Sequence, residues 1–177
     1  MSCVKGKRGR GGRVRARCNL ETFMKRERIC GREKLYVARE EYVNDTVCAC
    51  GFTHWLTLVP TQAEKLPVSD KSIDVVVSVC ALCSVQDAGT ALSEILRVLK
   101  PGGRLLFWEH ICSETSADTA IRQRECSEIE ESRWGCRFDR HTYRTIIGAG
   151  FSQVHGSHFE LPGFDLMAST VLGCAVK

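Results

Sequence analysis

Apolar positions change their spacing twice between Lys71 and Ile111, and the changes predict a strand, a helix and a second strand. Ile73, Val75, Val76, Val77 and Val79 form a β-branched run in which Asp74 is the one charge. That composition suits a strand buried on both faces, as in a parallel sheet between helices. From Asp87 to Leu99 the apolar residues Ala91, Leu92, Ile95, Leu96 and Leu99 recur at steps of three and four, which marks one face of an amphipathic helix. Pro101, Gly102 and Gly103 stop that helix, because proline cannot continue it and glycine takes a left-handed turn cheaply. Leu105, Leu106, Phe107 and Trp108 then make the second strand. Strand, helix, stop and strand form a right-handed βαβ crossover of an open α/β sheet. A ligand is expected at the strands' carboxyl ends, beside Cys80 to Val85 and beside Glu109 and His110.

Upstream, Leu35, Tyr36, Ala38, Tyr42 and Val43 give a helical pattern between Glu33 and Cys50, and Gly51 ends it. Trp55, Leu56, Leu58 and Val59 make a short strand leading into Pro60. Downstream, Glu114 to Arg133 is charged, with a weak helical period through Ala117, Ala120, Ile121 and Ile129. This stretch is expected to be a lid helix over the site, with Ala117, Ala120 and Ile121 on one face.

The residues around these elements carry a resemblance. Ala63-Glu64-Lys65-Leu66-Pro67, then Asp70 to Val77, then Leu96 to Gly103 resemble the central part of a class I S-adenosylmethionine-dependent methyltransferase with a type 11 domain. Leu82-Cys83-Ser84-Val85, Phe107-Trp108-Glu109-His110, and Gly135-Cys136 with Arg140 and Thr142 narrow the resemblance to the thiol (alkyl thiol) methyltransferase branch. It runs from about Gly51 to Lys177. The resemblance implies a Rossmann-like α/β sheet whose last helix is Thr142 to Ala149, closed by Gly150. Phe151 to Leu161 and Met167 to Val176 look like its final antiparallel pair.

It also implies S-adenosylmethionine as cofactor and a small-molecule methyl acceptor, a thiol in that branch. The segment TQAEKLP is similar to the loop that reads adenine. Gln62 stands where the family usually has an acid, and its amide oxygen can accept from the exocyclic amine in the same way. The backbone N–H of Ala63 would face the ring. Val79 and Cys80 would touch the cofactor, Cys83 and Ser84 would line the passage to the acceptor, and Glu109 is placed with them on the substrate side. Methyl transfer from a sulfonium is an in-line displacement that gains mainly from alignment in a dry site. His110 is the best general-base candidate by position and pKa. A histidine that only fixes the strand end by hydrogen bonding is the alternative. The branch is more apolar where this chain has Glu128, Glu130 and Glu131, so its substrate class does not carry over directly.

Length and charge qualify this picture. A chain of 177 residues suits one domain able to bury a core. The net charge of +4 conceals a division, since residues 1 to 40 hold thirteen Lys and Arg against four Glu. The expected organisation is a basic, disordered arm over 1–32 and a methyltransferase-like domain over 33–177. Val4 to Arg17 could follow a phosphate backbone, but no aromatic residue is interleaved, so a solvated tail is the preferred reading. No apolar run approaches the roughly eighteen residues of a membrane span, and no signal peptide is evident. The expected compartment is therefore the cytoplasm.

The acid-x-G-x-G-x-G loop that cradles the cofactor in this class has no match. Gly6, Gly9, Gly11 and Gly12 are the only cluster, with Lys5 where the acid belongs and no strand before it. Three βα units would take about 90 residues, whereas 72 precede Ile73. The sheet is thus expected to be truncated at its N-terminal strands, lacking the first alone or the first and second. Glu27 is a loose candidate for the ribose carboxylate, with a helix-surface glutamate as the preferred reading. This leaves open whether catalysis is impaired. The second hypothesis is a non-catalytic methyltransferase-like protein that binds RNA or an acidic partner through its Arg-rich arm.

Eleven cysteines without a secretory signal read as reduced thiols. Cys80-x-x-Cys83 with Cys48-x-Cys50 has the look of four zinc ligands. The first pair already matches the methyltransferase pattern without metal, so no metal is expected. His54, His110, His141, His155 and His158 make no convincing ligand set.

Overall fold

The computed structural model describes residues 61–177. The basic arm, the glycine cluster, Glu27, the helix expected from Glu33, Cys48, Cys50 and the strand expected at Trp55 all lie outside the described residues. Within them the order is β1 (Ile73–Val79), α1 (Ala88–Val98), β2 (Leu99–His110), α2 (Ala117–Trp134), α3 (Thr142–Gly148), β3 (Gln153–Glu160) and β4 (Ser169–Val176), with a 3₁₀ turn at Asp165–Met167 before the last strand. The sheet runs β1-β2-β4-β3. β1 and β2 are parallel, with Val76 beside Leu105 and Val79 beside Trp108. β4 lies antiparallel between β2 and β3, so the final hairpin enters the sheet through its second strand.

The βαβ unit follows the apolar period. α1 is capped by Asp87, whose carboxylate accepts from the N–H groups of Gly89 and Thr90, as a helix start requires. Its inward face is Ala91, Leu92, Ile95 and Val98. At the other end Lys177 donates from Nζ to the carbonyls of Leu96 and Leu99, tying the chain terminus to the last turn of the helix.

One element is drawn differently from the expectation. Leu99 leaves the helix and pairs with Ile73, so Pro101-Gly102-Gly103 lies inside β2, where the ladder with β1 shifts register. A β-carbon at Gly103 would stand 2.9 Å from the Lys100 carbonyl and 3.1 Å from that of Asp74. Glycine here permits close backbone approach within a strand.

Leu92, Ile95 and Val98 of α1 and Ile146 of α3 pack on Leu105, Phe107, Val171 and Ala175. The opposite sheet face carries a smaller cluster of Val75, Leu106 and Trp108 with Phe159 and Leu172 against it. α2 is oriented against the expected pattern. It buries Gln123 and Ser127, while Ile121 and Ile129 are 53% and 47% exposed. Gln123 accepts from the N–H of Ser113 and donates to the carbonyls of Ile111 and Leu166, which satisfies three buried backbone groups. No helix among the described residues is long and apolar enough to cross a membrane.

Candidate active site

The site begins where β1 ends. Cys80 takes a positive φ of 50°, an uncommon conformation for a residue with a β-carbon, and turns the chain into a tight loop. Ser84 and Val85 donate to the Ala81 carbonyl at 2.8 and 3.0 Å. Glu109, from the carboxyl end of the neighbouring strand, holds this loop from beneath. It is fully buried. Its Oε1 accepts from Ser78 Oγ at 2.6 Å and from the Ala81 N–H at 3.2 Å, and its Oε2 accepts from the Cys83 N–H at 3.1 Å. Burial pushes the Glu109 carboxyl well above its usual range, and the neighbouring Cys83 sulfur pushes it further. Arg140 grips the far side through the carbonyls of Val85, Leu82 and Gln86.

A second loop faces the first across a cleft of about 220 Å³, with Thr61 to Glu64 on one wall and Ala81 and Ser84 to Gln86 on the other. Glu64 spans the two, accepting from the N–H groups of Gln86 and Asp87. The rest of the second loop is clamped to α1. Arg97 donates to the carbonyls of Leu66 and Val68 and to the Asp70 carboxylate. It also forms a two-pronged pair with Glu94 at 2.7 and 2.8 Å, and Glu94 accepts the Leu66 N–H. Arg97 and the Leu66 N–H together lower the Glu94 pKa from 4.5 to about 2.

A depressed carboxylate pKa contributes stability that is present above the unfolded value and lost as pH falls toward the folded one. The Glu94→Gln variant should therefore lose about 1–2 kcal/mol at pH 7, discounted for partial exposure. Its stability should also be flatter than wild type between pH 4.5 and about 2. Urea titrations across that window check this, and parallel acid limbs in the two proteins would contradict it.

Behind the first loop lies a sulfur cluster. Gly135 ends α2 in the left-handed conformation, φ 65°, and delivers Cys136 against Cys83, with the Arg137 N–H bonded to the Cys83 carbonyl. The two sulfurs are 3.1 Å apart. His110 Nδ1 lies 3.1 Å from the Cys136 sulfur and 3.7 Å from that of Cys83, and its Nε2 is 3.9 Å from Cys80. The Cys83 thiol is held well below the ordinary range because Cys136 and Cys80 direct hydrogen bonds at it and His110 stands beside it. Cys80 and Cys136 are pushed up, each first by its hydrogen bond to Cys83 and then by burial.

The structure thus brings Gln62, Ala63 and Ser84 together on the cleft. Val79 and Cys80 are half-buried at the end of β1, while Cys83 and Glu109 are buried beneath the loop. His110 turns both ring nitrogens toward the chain's own sulfurs. Sequence reasoning missed the supporting roles of Glu64, Glu94 and Arg97. The Glu94-x-x-Arg97 spacing was the available signal for the last two, since residues three apart share a helix face.

Known small-molecule pockets run to roughly 300–1,000 Å³, so the 220 Å³ cleft admits only part of S-adenosylmethionine. Gln62 and Ala63, the residues expected to read adenine, both line the cleft. None of the described residues forms a glycine cradle for the cofactor's amino acid end.

The fold is of the kind found in class I methyltransferases, and residues 31–107 match the model of the type 11 methyltransferase domain. The curated proteins the chain resembles include thiol S-methyltransferases and, over a shorter stretch, a demethylmenaquinone methyltransferase from Streptomyces avermitilis, 49% identical over 55 residues, 31% of this chain and 24% of that protein. The rat enzyme TMT1B is 38% identical over 117 residues, which are 62% of this chain and 46% of that protein. The chain therefore spans about half the length of this relative. Among solved structures, an S-adenosylmethionine-dependent methyltransferase from Thermotoga maritima aligns with TM-score 0.57 at 20% identity over 80% of this chain and 72% of its own. The [4+2]-cyclase SpnF aligns with TM-score 0.67 at 17% identity, covering 97% and 84%. A neighbour named for a cyclisation shows that this fold alone does not fix the reaction.

Proposed function

We propose that the chain binds S-adenosylmethionine, adenine end first, in the cleft between Thr61–Glu64 and Ala81–Gln86, and takes part in methyl transfer to a small thiol. The observation that carries this reading is the convergence of Gln62, Ala63 and Ser84 on one cleft at the tips of parallel strands. The thiol class is supported by the likeness to thiol S-methyltransferases.

When bound, the cofactor supplies an electrophilic methyl group on a positively charged sulfur. Gln62 would accept from the adenine amine through its amide oxygen, and the Ala63 N–H would meet the ring. The Glu94–Arg97 clamp and the Glu64 bridge hold these two contacts in place before ligand arrives, which lowers the ordering cost of binding. Ser84, half-buried on the opposite wall, would position the acceptor. A thiol has a pKa of about 8.5 and needs little help to ionise near neutral pH. His110 then serves this reading by fixing Cys83, and the adenosyl contacts need no proton from it.

Calorimetry of the full chain with S-adenosylhomocysteine tests the proposal. Binding should be detectable, and Gln62→Ala should weaken it about tenfold, the worth of one hydrogen bond of about 1.4 kcal/mol. No heat from the wild-type chain at millimolar ligand would overturn it.

A further inference from the structure

We propose that Cys83, His110 and Cys136, with Cys80 as fourth donor, form a site for a thiophilic divalent cation of the zinc class. The Sγ atoms of Cys83 and Cys136 and a ring nitrogen of His110 lie within 4.8 Å of one another, and no other group of three metal-ligating side chains comes together among the described residues. Zinc bonds of about 2.3 Å to sulfur and 2.0–2.1 Å to nitrogen set donor-to-donor edges of roughly 3.5–3.8 Å in a tetrahedron. The edges here are 3.1, 3.1 and 3.7 Å. Widening the two shorter edges by roughly 0.4–0.7 Å opens that triangle to the size of the ion.

Donor chemistry and spacing agree with the geometry. Three thiols and one imidazole are among the closed sets of structural zinc sites, and such sites commonly take two ligands from a short Cys-x-x-Cys pair. Cys80-x-x-Cys83 is such a pair. The Cys80 sulfur lies 3.9 Å from Nε2 of the same imidazole, which makes it the donor at hand for a fourth position.

The sequence offered Cys48-x-Cys50 as the other pair and set metal aside, whereas the fold supplies the remaining donors from β2 and from the end of α2. The ligands are braced from behind, as metal ligands generally are. The Cys83 N–H is held by Glu109, the Cys83 carbonyl by the Arg137 N–H, and the His110 carbonyl by Thr142 Oγ1. A cation here would join three segments far apart in sequence: the β1 loop, the end of β2 and the start of the α2–α3 connection.

This inference does not rest on methyl transfer, and its test reads metal directly. Full-length protein purified under reducing conditions with added zinc, then dialysed against metal-free buffer, should retain about one zinc per chain. Cobalt substitution should give the intense visible bands of a tetrahedral ion and thiolate-to-cobalt charge transfer in the near ultraviolet. Cys136→Ser and His110→Ala should each weaken retention at least tenfold, while Cys174→Ser, away from the cluster, should not.

Because a ligand variant can fail through misfolding, the wild-type protein supplies a second measurement. Zinc should slow the reaction of its thiols with a disulfide reagent, and a chelator should restore the rate. Absence of retained zinc and of cobalt charge transfer in the folded wild-type protein would overturn the proposal. So would a Cys83–Cys136 disulfide that persists under reducing conditions, or cobalt bands unchanged in His110→Ala.

Discussion

Gly173→Ala is expected to destabilise the domain by at least about 3 kcal/mol, a large part of the 5–15 kcal/mol that holds a typical domain folded. Gly173 sits in the middle strand of three, opposite Phe107 on β2 and Gly156 on β3. A β-carbon there would be driven inside contact distance of the His155 carbonyl oxygen and of the Phe107 ring. Neither can give way cheaply. The carbonyl is part of the β3–β4 ladder, and the Phe107 ring is completely buried and packed against Tyr143 with centroids 6.1 Å apart. Gly156 repeats the arrangement one strand over, where an added β-carbon would stand 2.7 Å from the Tyr143 ring.

The two glycines form a trough in the sheet that receives two aromatic rings, so their lack of side chains is a packing requirement. Relief would need β3 and β4 to separate, which breaks backbone hydrogen bonds as well as packing. Guanidinium unfolding of Gly173→Ala measures the loss. A midpoint equal to that of the wild type would show that the sheet yields more easily than this contact geometry allows.

How much of this could be read from the chain depended on whether a residue's partner was near in sequence. β1 and α1 were legible because their burial follows a simple period, and Asp87 with Gly89 and Thr90 forms a local cap. β2 was legible only from Leu105 onward. Pro101-Gly102-Gly103 reads as a stop, and nothing local reveals that Leu99 already pairs with Ile73 across the sheet. α2 defeated the period because its buried positions are polar. Gln123 and Ser127 go inside to satisfy backbone groups and Asp139, while Ile121 and Ile129 remain outside. The final hairpin was legible as two strands, but its insertion beside β2 is a matter of topology that alternation cannot encode.

The site divides in the same way. Gln62, Ala63 and Ser84 could be nominated through a family resemblance carried by local motifs. The approach of Cys136 to Cys83 and His110 joins residues 53 and 26 positions apart. Gly135-Cys136 entered the sequence reading only as one of the motif's marks, with no contact attached to it.

Glu109→Ala should be about as damaging, at roughly 3–5 kcal/mol, because it removes a fully buried side chain and strands the donors that side chain satisfied. Ser78 Oγ and the N–H groups of Ala81 and Cys83 would lose their acceptor. Two of these residues, Ser78 and Cys83, are buried away from water. The loop from Cys80 to Val85 would then lose its floor, so the variant should bind S-adenosylhomocysteine more weakly even where it stays folded.

The carboxyl also fixes a sign for pH. Burial first, and the Cys83 sulfur second, raise its folded pKa above the ordinary 4.5. For an acid shifted upward, the stabilising state is the protonated one. Its contribution is complete below the unfolded pKa and declines as pH rises through the folded value. Glu109→Gln keeps a neutral acceptor at every pH but presents an amide donor toward one of the loop N–H groups. It should therefore be less stable than wild type at pH 4 by about 1–3 kcal/mol. The gap should narrow as pH rises, because only the wild type must then bury a charge or bind a proton to fold. Chemical denaturation of both proteins from pH 4 to 9 checks the slope. A gap that widens with pH would mean that the three hydrogen bonds outweigh burial and that Glu109 is held as a carboxylate.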